Sequence, residues 1–180
     1  MISISASKVQ WLKDKIRDIP DFPKSGIVFR DLTTLFKDAE AFAYVVDALS
    51  DETKKLRPEK IVGIEARGFI IGAAVAYKLG LGFVPIRKPG KLPHQKESIS
   101  YDLEYGKDCV EIHVDAVIED EKVVLIDDLL ATGGTAAAAC KLLQKIGAEV
   151  VGAGFVVTLE DLGGKLVLPD GVHFFTLVSY

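Results

Sequence analysis

The chain has 180 residues, 49% of them hydrophobic and 27% charged, a profile that suits one folded domain and excludes intrinsic disorder. Its 22 basic and 26 acidic residues leave a formal net charge of −4, so no global basic field exists to hold a nucleic-acid backbone. Cys109 and Cys140 are the only two cysteines, too few for a disulfide scaffold and suited to a reducing compartment. No run reaches the roughly 18 apolar residues that cross a membrane, and Lys8, Lys13, Asp14 and Lys15 interrupt any leader-like apolar stretch. The expectation is a soluble cytoplasmic protein with neither membrane nor nucleic acid as partner.

Val9, Leu12 and Ile16 recur at helical spacing, which predicts an amphipathic helix over about 4–18, stopped by Pro20 and Pro23. Gly26–Phe29 reads as a short extended piece. Phe42, Val45, Val46, Leu49 and Leu56 form a second helical stripe ending before Pro58. A strand–helix rhythm then begins. Lys60–Glu65 is a β-branched run, Ala66–Gly80 an Ala-rich helix closing on glycine, and Gly82–Lys88 another apolar run. Val123–Asp128, a helix closing on Gly147, Glu149–Glu160 and Val172–Tyr180 complete the pattern. Continuous apolar strands alternating with helices predict an α/β fold, a central mostly parallel sheet flanked by helices. Ligands of such sheets bind beyond the carboxyl ends of the strands.

The strongest constellation there is Val123–Thr135. Four apolar residues build a buried strand, and Asp127 and Asp128 stand at its carboxyl end. Two adjacent carboxylates repel each other and lose solvation, so they need donors or a cation. The vicinal hydroxyls of a ribose are such donors. Ala131, Thr132, Gly133, Gly134 and Thr135 then open a helix. Small residues let backbone N–H groups converge, the helix N-terminus adds partial positive charge, and two threonines offer hydroxyls. A phosphate monoester fits, so the segment reads as a ribose 5-phosphate site rather than a plain glycine turn. Glu65, Ala66 and Arg67 follow another strand and suit a pyrophosphate. Pro85–Lys96 carries Arg87, Lys88, Lys91 and Lys96 and no acid within twelve residues; directly after a strand, this points to polyphosphate. Ser98, Ser100 and Asp102 alternate with Ile99, Tyr101 and Leu103, which predicts a two-stranded flap. A flap that excludes water suits a reactive sugar cation.

Val123–Thr135 resembles the phosphoribosyl-pyrophosphate (PRPP) motif of the type I phosphoribosyltransferases. Phe22–Thr33, Gly63–Gly72, Ile86–Pro93 and Ser100–Asp108 resemble successive signatures of the adenine phosphoribosyltransferases, in that family's order, over roughly Ile16 to Tyr180. The resemblance implies a single domain over 1–180, with an N-terminal hood over about 1–36 and a lid over about 93–108. It implies transfer of the phosphoribosyl group of PRPP to N9 of adenine, giving AMP and pyrophosphate. It puts a cis peptide at Glu65–Ala66, diphosphate contacts on Glu65, Ala66, Arg67, Arg87, Lys88 and Lys91, and catalytic roles on a Glu104–Tyr105 pair in the lid and on Arg67. Arg87 reaches either its own site or that of a neighbouring subunit. Adenine is read by the main chain of Val28 and Arg30, between Phe29 and Leu159. Mg2+ arrives with the substrate, without direct protein ligands, and the molecule is a homodimer.

Many 6-oxopurine enzymes of this kind place an aspartate just before the glycine turn, where this chain has Ala131. That leaves the acid/base role to Glu104 and argues against hypoxanthine, guanine or xanthine as the base. A non-catalytic PRPP sensor that binds nucleic acid would need an added domain or a basic face, and a dinucleotide-binding domain would need G-x-G-x-x-G spacing.

Overall fold

The structure is a computed structural model that describes residues 2, 4–103 and 106–180. Glu104 and Tyr105, expected to be the catalytic lid pair, lie outside the described residues.

Helix α1 spans Ala6–Lys15; Ser5 caps it by accepting the Lys8 N–H. It is shorter than the sequence stripe suggests, because Arg17–Pro20 leaves the helix as strand β1 and pairs antiparallel with β2, Val28–Asp31. Trp11, off the apolar stripe, packs edge-on against Tyr44 with Lys8 over its face. A short helix α2 (Thr33–Phe36) leads to α3 (Ala39–Lys55), whose N-cap Asp38 accepts the Ala41 N–H.

The rest alternates as expected: β3 (Lys60–Ile64), α4 (Arg67–Leu79), β4 (Gly82–Ile86), then a hairpin of β5 (Lys96–Leu103) and β6 (Gly106–His113). It continues with β7 (Lys122–Leu130), α5 (Gly134–Lys145), β8 (Glu149–Thr158) and β9 (His173–Ser179). Five strands form one sheet in the order β4-β3-β7-β8-β9, every neighbouring pair parallel. One face is covered by α1, α3 and α4, whose Leu12, Val45, Leu49, Ile71 and Val75 are buried against Val124, Ile126 and Phe175. The other face is covered by α5 and the hairpin, through Ala139, Leu142, Val110 and Ile112 against Leu125 and Phe155. This double cover is why the strands read as unbroken apolar runs.

The connections leave β3 in one direction and β7 in the other, so the order reverses between these two strands. Such a switch point opens a crevice beyond the strand ends. Pairing of β3 with β7 stops at Gly63 opposite Ile126, whereas β7 stays paired with β8 as far as Leu130. Asp127 and Asp128 therefore lie inside β7 rather than after it, on the stretch that β3 no longer covers.

Candidate active site

A cleft of about 250 Å3 occupies this switch point. It is lined by Glu65 and Ala66 after β3, Arg67 at the start of α4, Lys88 after β4, Asp127 and Asp128 from β7, and the turn Ala131–Thr135. The three motifs read as sugar, phosphate and diphosphate sites thus share one cavity.

Asp128 is buried, 3% exposed, and Asp127 is half-buried. The Asp128 N–H donates to Asp127 Oδ1 over 2.9 Å. Arg67 Nε stands 2.8 Å from Asp128 Oδ2, but its N–H is not aimed along that line, and this buried oxygen has no hydrogen-bond partner among the described residues. Burial, then the neighbouring charge of Asp128, pushes the Asp127 carboxyl well above its ordinary range. Burial likewise raises Asp128, against the pull of Arg67. An under-donated carboxylate pair at the floor of an open cleft suits hydroxyl donors or a hydrated cation carried by a substrate. Among the described residues no three His, Cys, Asp or Glu side chains cluster closely enough to hold a metal ion.

Close backbone approaches shape the cleft. A side chain at Gly68 would meet Asp127 Oδ1 at 2.7 Å. The turn after β7 carries Gly133 in the left-handed region (φ 81°) as the N-cap of α5, with no side chain capping the helix. That leaves the first-turn N–H groups to the cleft. The peptide Glu65–Ala66 is cis, as the resemblance implies.

The cationic segment differs from its sequence appearance. Arg87 Nε and Nη2 donate to Glu65 at 3.2 and 3.3 Å, and the Lys88 N–H donates to the same carboxylate at 3.0 Å. The Arg87 hydrogen bond, followed by that of Lys88, lowers the Glu65 carboxyl below its ordinary range. Lys96 Nζ donates to Glu111 at 2.8 Å, and Lys88 Nζ to Asp108. Carboxylates remote in sequence therefore brace a segment that holds none of its own.

Arg87 and Lys91 do not line the cleft; Arg87 Nη1 donates instead to the Lys91 carbonyl at 3.2 Å. Nor do Val28, Phe29, Arg30 and Leu159. Phe29 nonetheless lies near it, its ring 5.6 Å from the Arg67 guanidinium carbon and edge-on to Phe22 at 5.2 Å. Arg30 rests on the Tyr180 ring at 3.9 Å and pairs with Asp18. Leu159 lines a separate cavity of about 350 Å3 with Thr158, Phe174 and Thr176.

A phosphoribosyl transferase domain model matches residues 34–170. The adenine phosphoribosyltransferase of Nostoc punctiforme is 54% identical over 171 residues, 94% of this chain and 99% of the relative. This chain belongs to the adenine phosphoribosyltransferase family. The family's solved structures share its fold. The adenine phosphoribosyltransferase from Thermoanaerobacter pseudethanolicus superposes with a TM-score of 0.92 at 48% identity, covering 96% of this chain and 99% of that one. The Saccharomyces cerevisiae enzyme, complexed with adenine and an imino-altritol bisphosphate, gives 0.89 at 38% identity over 96% and 99%. The parallel sheet, its flanking helices and the hairpin are thus those of an adenine phosphoribosyltransferase. Among the described residues no helix is long and apolar enough to cross a membrane.

Tyr101 and Asp108, which touch Lys88 and in the case of Tyr101 also Thr135, stand in the flap read from the sequence but were given no site role there. Their directly opposed register across the hairpin is the signal that could have found them, since Tyr101 pairs with Asp108.

Proposed function

We infer that the chain is a glycosyltransferase that moves the 5-phosphoribosyl group of PRPP onto N9 of adenine, forming AMP and pyrophosphate. The observation that carries this reading is the single cleft in which an under-donated carboxylate pair, a glycine-turn helix N-terminus and the Arg67 and Lys88 side chains converge.

Asp127 and Asp128 accept hydrogen bonds from the ribose hydroxyls. The turn Ala131–Thr135 holds the 5-phosphate through its N–H groups and threonine hydroxyls. Glu65, Ala66, Arg67, Arg87, Lys88 and Lys91 form the diphosphate end, with Arg67 and Lys88 nearest the cleft. Displacement at the anomeric carbon builds oxocarbenium character as the leaving diphosphate gains charge. Fixed cations and backbone donors aimed at that charge lower the barrier without reorganising. Mg2+ bound with the substrate would supply further positive charge to diphosphate and ribose oxygens. Glu104, next to Tyr105 in sequence, is the base that accepts the proton adenine gives up as N9 bonds the anomeric carbon and the diphosphate leaves. The main chain of Val28 and Arg30 distinguishes the 6-amino edge of adenine from a 6-oxo edge, and Phe29 and Leu159 flank the ring. The chain acts as a single phosphoribosyltransferase domain, with a hood over about 1–36 and a lid over about 93–108, and works in the cytoplasm as a homodimer.

Mixing the protein with Mg2+, PRPP and individual purines tests this reading. AMP should form from adenine, with little product from hypoxanthine, guanine or xanthine. Nucleotide formation from a 6-oxopurine in preference to adenine refutes the base assignment, and no nucleotide from any purine refutes the reaction.

A further inference from the structure

The phosphate turn, the cationic segment and the hairpin meet at one phenol that the assignments above leave out. Tyr101 sits on β5 with its ring packed on the α5-side core. Asp108 is its cross-strand partner on β6. Thr135 Oγ1 donates to the Tyr101 hydroxyl over 3.1 Å, and Lys88 Nζ donates to it over 3.3 Å. The Tyr101 hydroxyl donates to Asp108 Oδ2 over 2.9 Å, and Lys88 Nζ donates to that same oxygen. The Cys109 N–H fixes the other Asp108 oxygen at 2.8 Å.

The donor and acceptor inventory closes. A phenol has one O–H to give and two lone pairs, an ammonium only donates, and an ionised carboxylate only accepts. The Tyr101 proton therefore points at Asp108, and its lone pairs are taken by Lys88 and Thr135. The pair stays ionised. Burial works to lower the Lys88 pKa, but the Asp108 and Tyr101 hydrogen bonds outweigh it and leave it raised. Burial works to raise the Asp108 pKa, but the bonds from Lys88, the Cys109 N–H and Tyr101 leave it lowered.

We infer that Tyr101 and Asp108 are positioning residues for PRPP: they hold the Lys88 ammonium and the Thr135 hydroxyl in register, so that one hairpin sets the separation between the diphosphate and 5-phosphate ends of the site. The inference rests on the assignment of Lys88 and Thr135 to those two ends. A lysine ammonium on a flexible four-carbon stem is a poorly located charge unless something fixes it. Two bonds at Asp108 and Tyr101 fix it here, and the same phenol anchors Thr135.

The test is steady-state kinetics of Tyr101→Phe and Asp108→Asn, with Lys88→Ala as the reference, each checked by thermal melting. Each of the first two should raise the KM for PRPP roughly tenfold, the effect of one charge-assisted hydrogen bond. The KM for adenine should stay within about twofold. In the Lys88→Ala background the Asp108→Asn effect should largely vanish, because the group it positions is gone. The sign at Asp108 is decisive: were it only a negative charge near a polyanion, Asp108→Asn would lower the KM for PRPP. That result overturns the inference, as does an unchanged KM for PRPP or an equal rise for both substrates. Should Tyr101→Phe fail to fold, the near-isosteric Asp108→Asn carries the same expectation. An unchanged KM for PRPP in Lys88→Ala refutes the diphosphate assignment itself, and this inference with it. A rise in Lys88→Ala alone leaves that assignment standing and removes only the positioning role.

Discussion

The glycine turn after β7, proposed above to hold the 5-phosphate, should tolerate no side chain at Gly133. Two separate costs meet there. The residue has φ 81°, where a non-glycine residue is destabilised by about 1–2 kcal/mol. An added Cβ would also stand 2.3 Å from the Gly164 carbonyl oxygen and 2.5 Å from Val167 Cγ2. Restoring even a 3.0 Å contact to that oxygen requires the turn and the Gly164 segment to separate by about 0.7 Å. Misplacing substrate-holding groups by about 1 Å costs on the order of 10²-fold in rate. Gly133→Ala is therefore expected to lower kcat/KM for PRPP by roughly that factor. Gly171→Ala is the control, because Gly171 has φ 84° with open space around the missing Cβ. It should lose the backbone strain alone, a melting drop of roughly 2–8 °C for a domain of this size, with kinetics unchanged. AMP formation at varied PRPP, alongside thermal melting of both variants, provides the comparison. Equal kinetics in the two variants would show that close packing of the turn against the Gly164 segment does not hold the phosphate site in place.

Asp127→Asn should separate stability from function. The folded carboxyl is raised, so the native state holds its proton more tightly than the unfolded state, and stability falls as pH climbs above 3.8 toward the folded value. Without ligands, the variant should melt higher than the wild type at pH 7 and converge with it near pH 4, while kcat/KM for PRPP falls roughly ten- to hundredfold; a lower melting temperature at pH 7 contradicts the burial argument. Asp31 shows the opposite sign. It accepts hydrogen bonds from Thr33 and Arg17, which bring its pKa down to about 2. Its stabilisation is present above about 3.8 and is lost as pH falls through about 2. Asp31→Asn should cost about 1–2 kcal/mol at pH 7 in urea unfolding, discounted for the exposed Arg17, and the gap should narrow below pH 4. Glu104→Gln should lower kcat with adenine by roughly 10²–10⁴-fold; an unchanged kcat removes Glu104 from proton transfer.

The parallel sheet is legible in the sequence because both of its faces are covered, which makes each strand an apolar run that periodicity finds. Strand β1 is not legible. Arg17–Pro20 has no alternation of its own and becomes a strand only because Val28–Asp31 lies alongside it. The aspartate pair is legible by type and spacing, but its place inside β7 depends on β8 running further than β3. The cationic segment reveals its charge and hides its partners. Glu65 reaches it from the turn after β3, and Asp108 and Glu111 from β6, and no local pattern encodes such contacts.

Those three carboxylates bear on selectivity among the polyanions of a cell. A bare strip of lysine and arginine would attract RNA, nucleoside triphosphates and free phosphate alike, at strengths set by salt rather than by shape. With Arg87, Lys88 and Lys96 already matched by fixed acids, the segment presents little long-range field. Its cations become useful only to a guest that fits closely enough to share them with their resident partners, so discrimination operates at contact distance and not during diffusional approach.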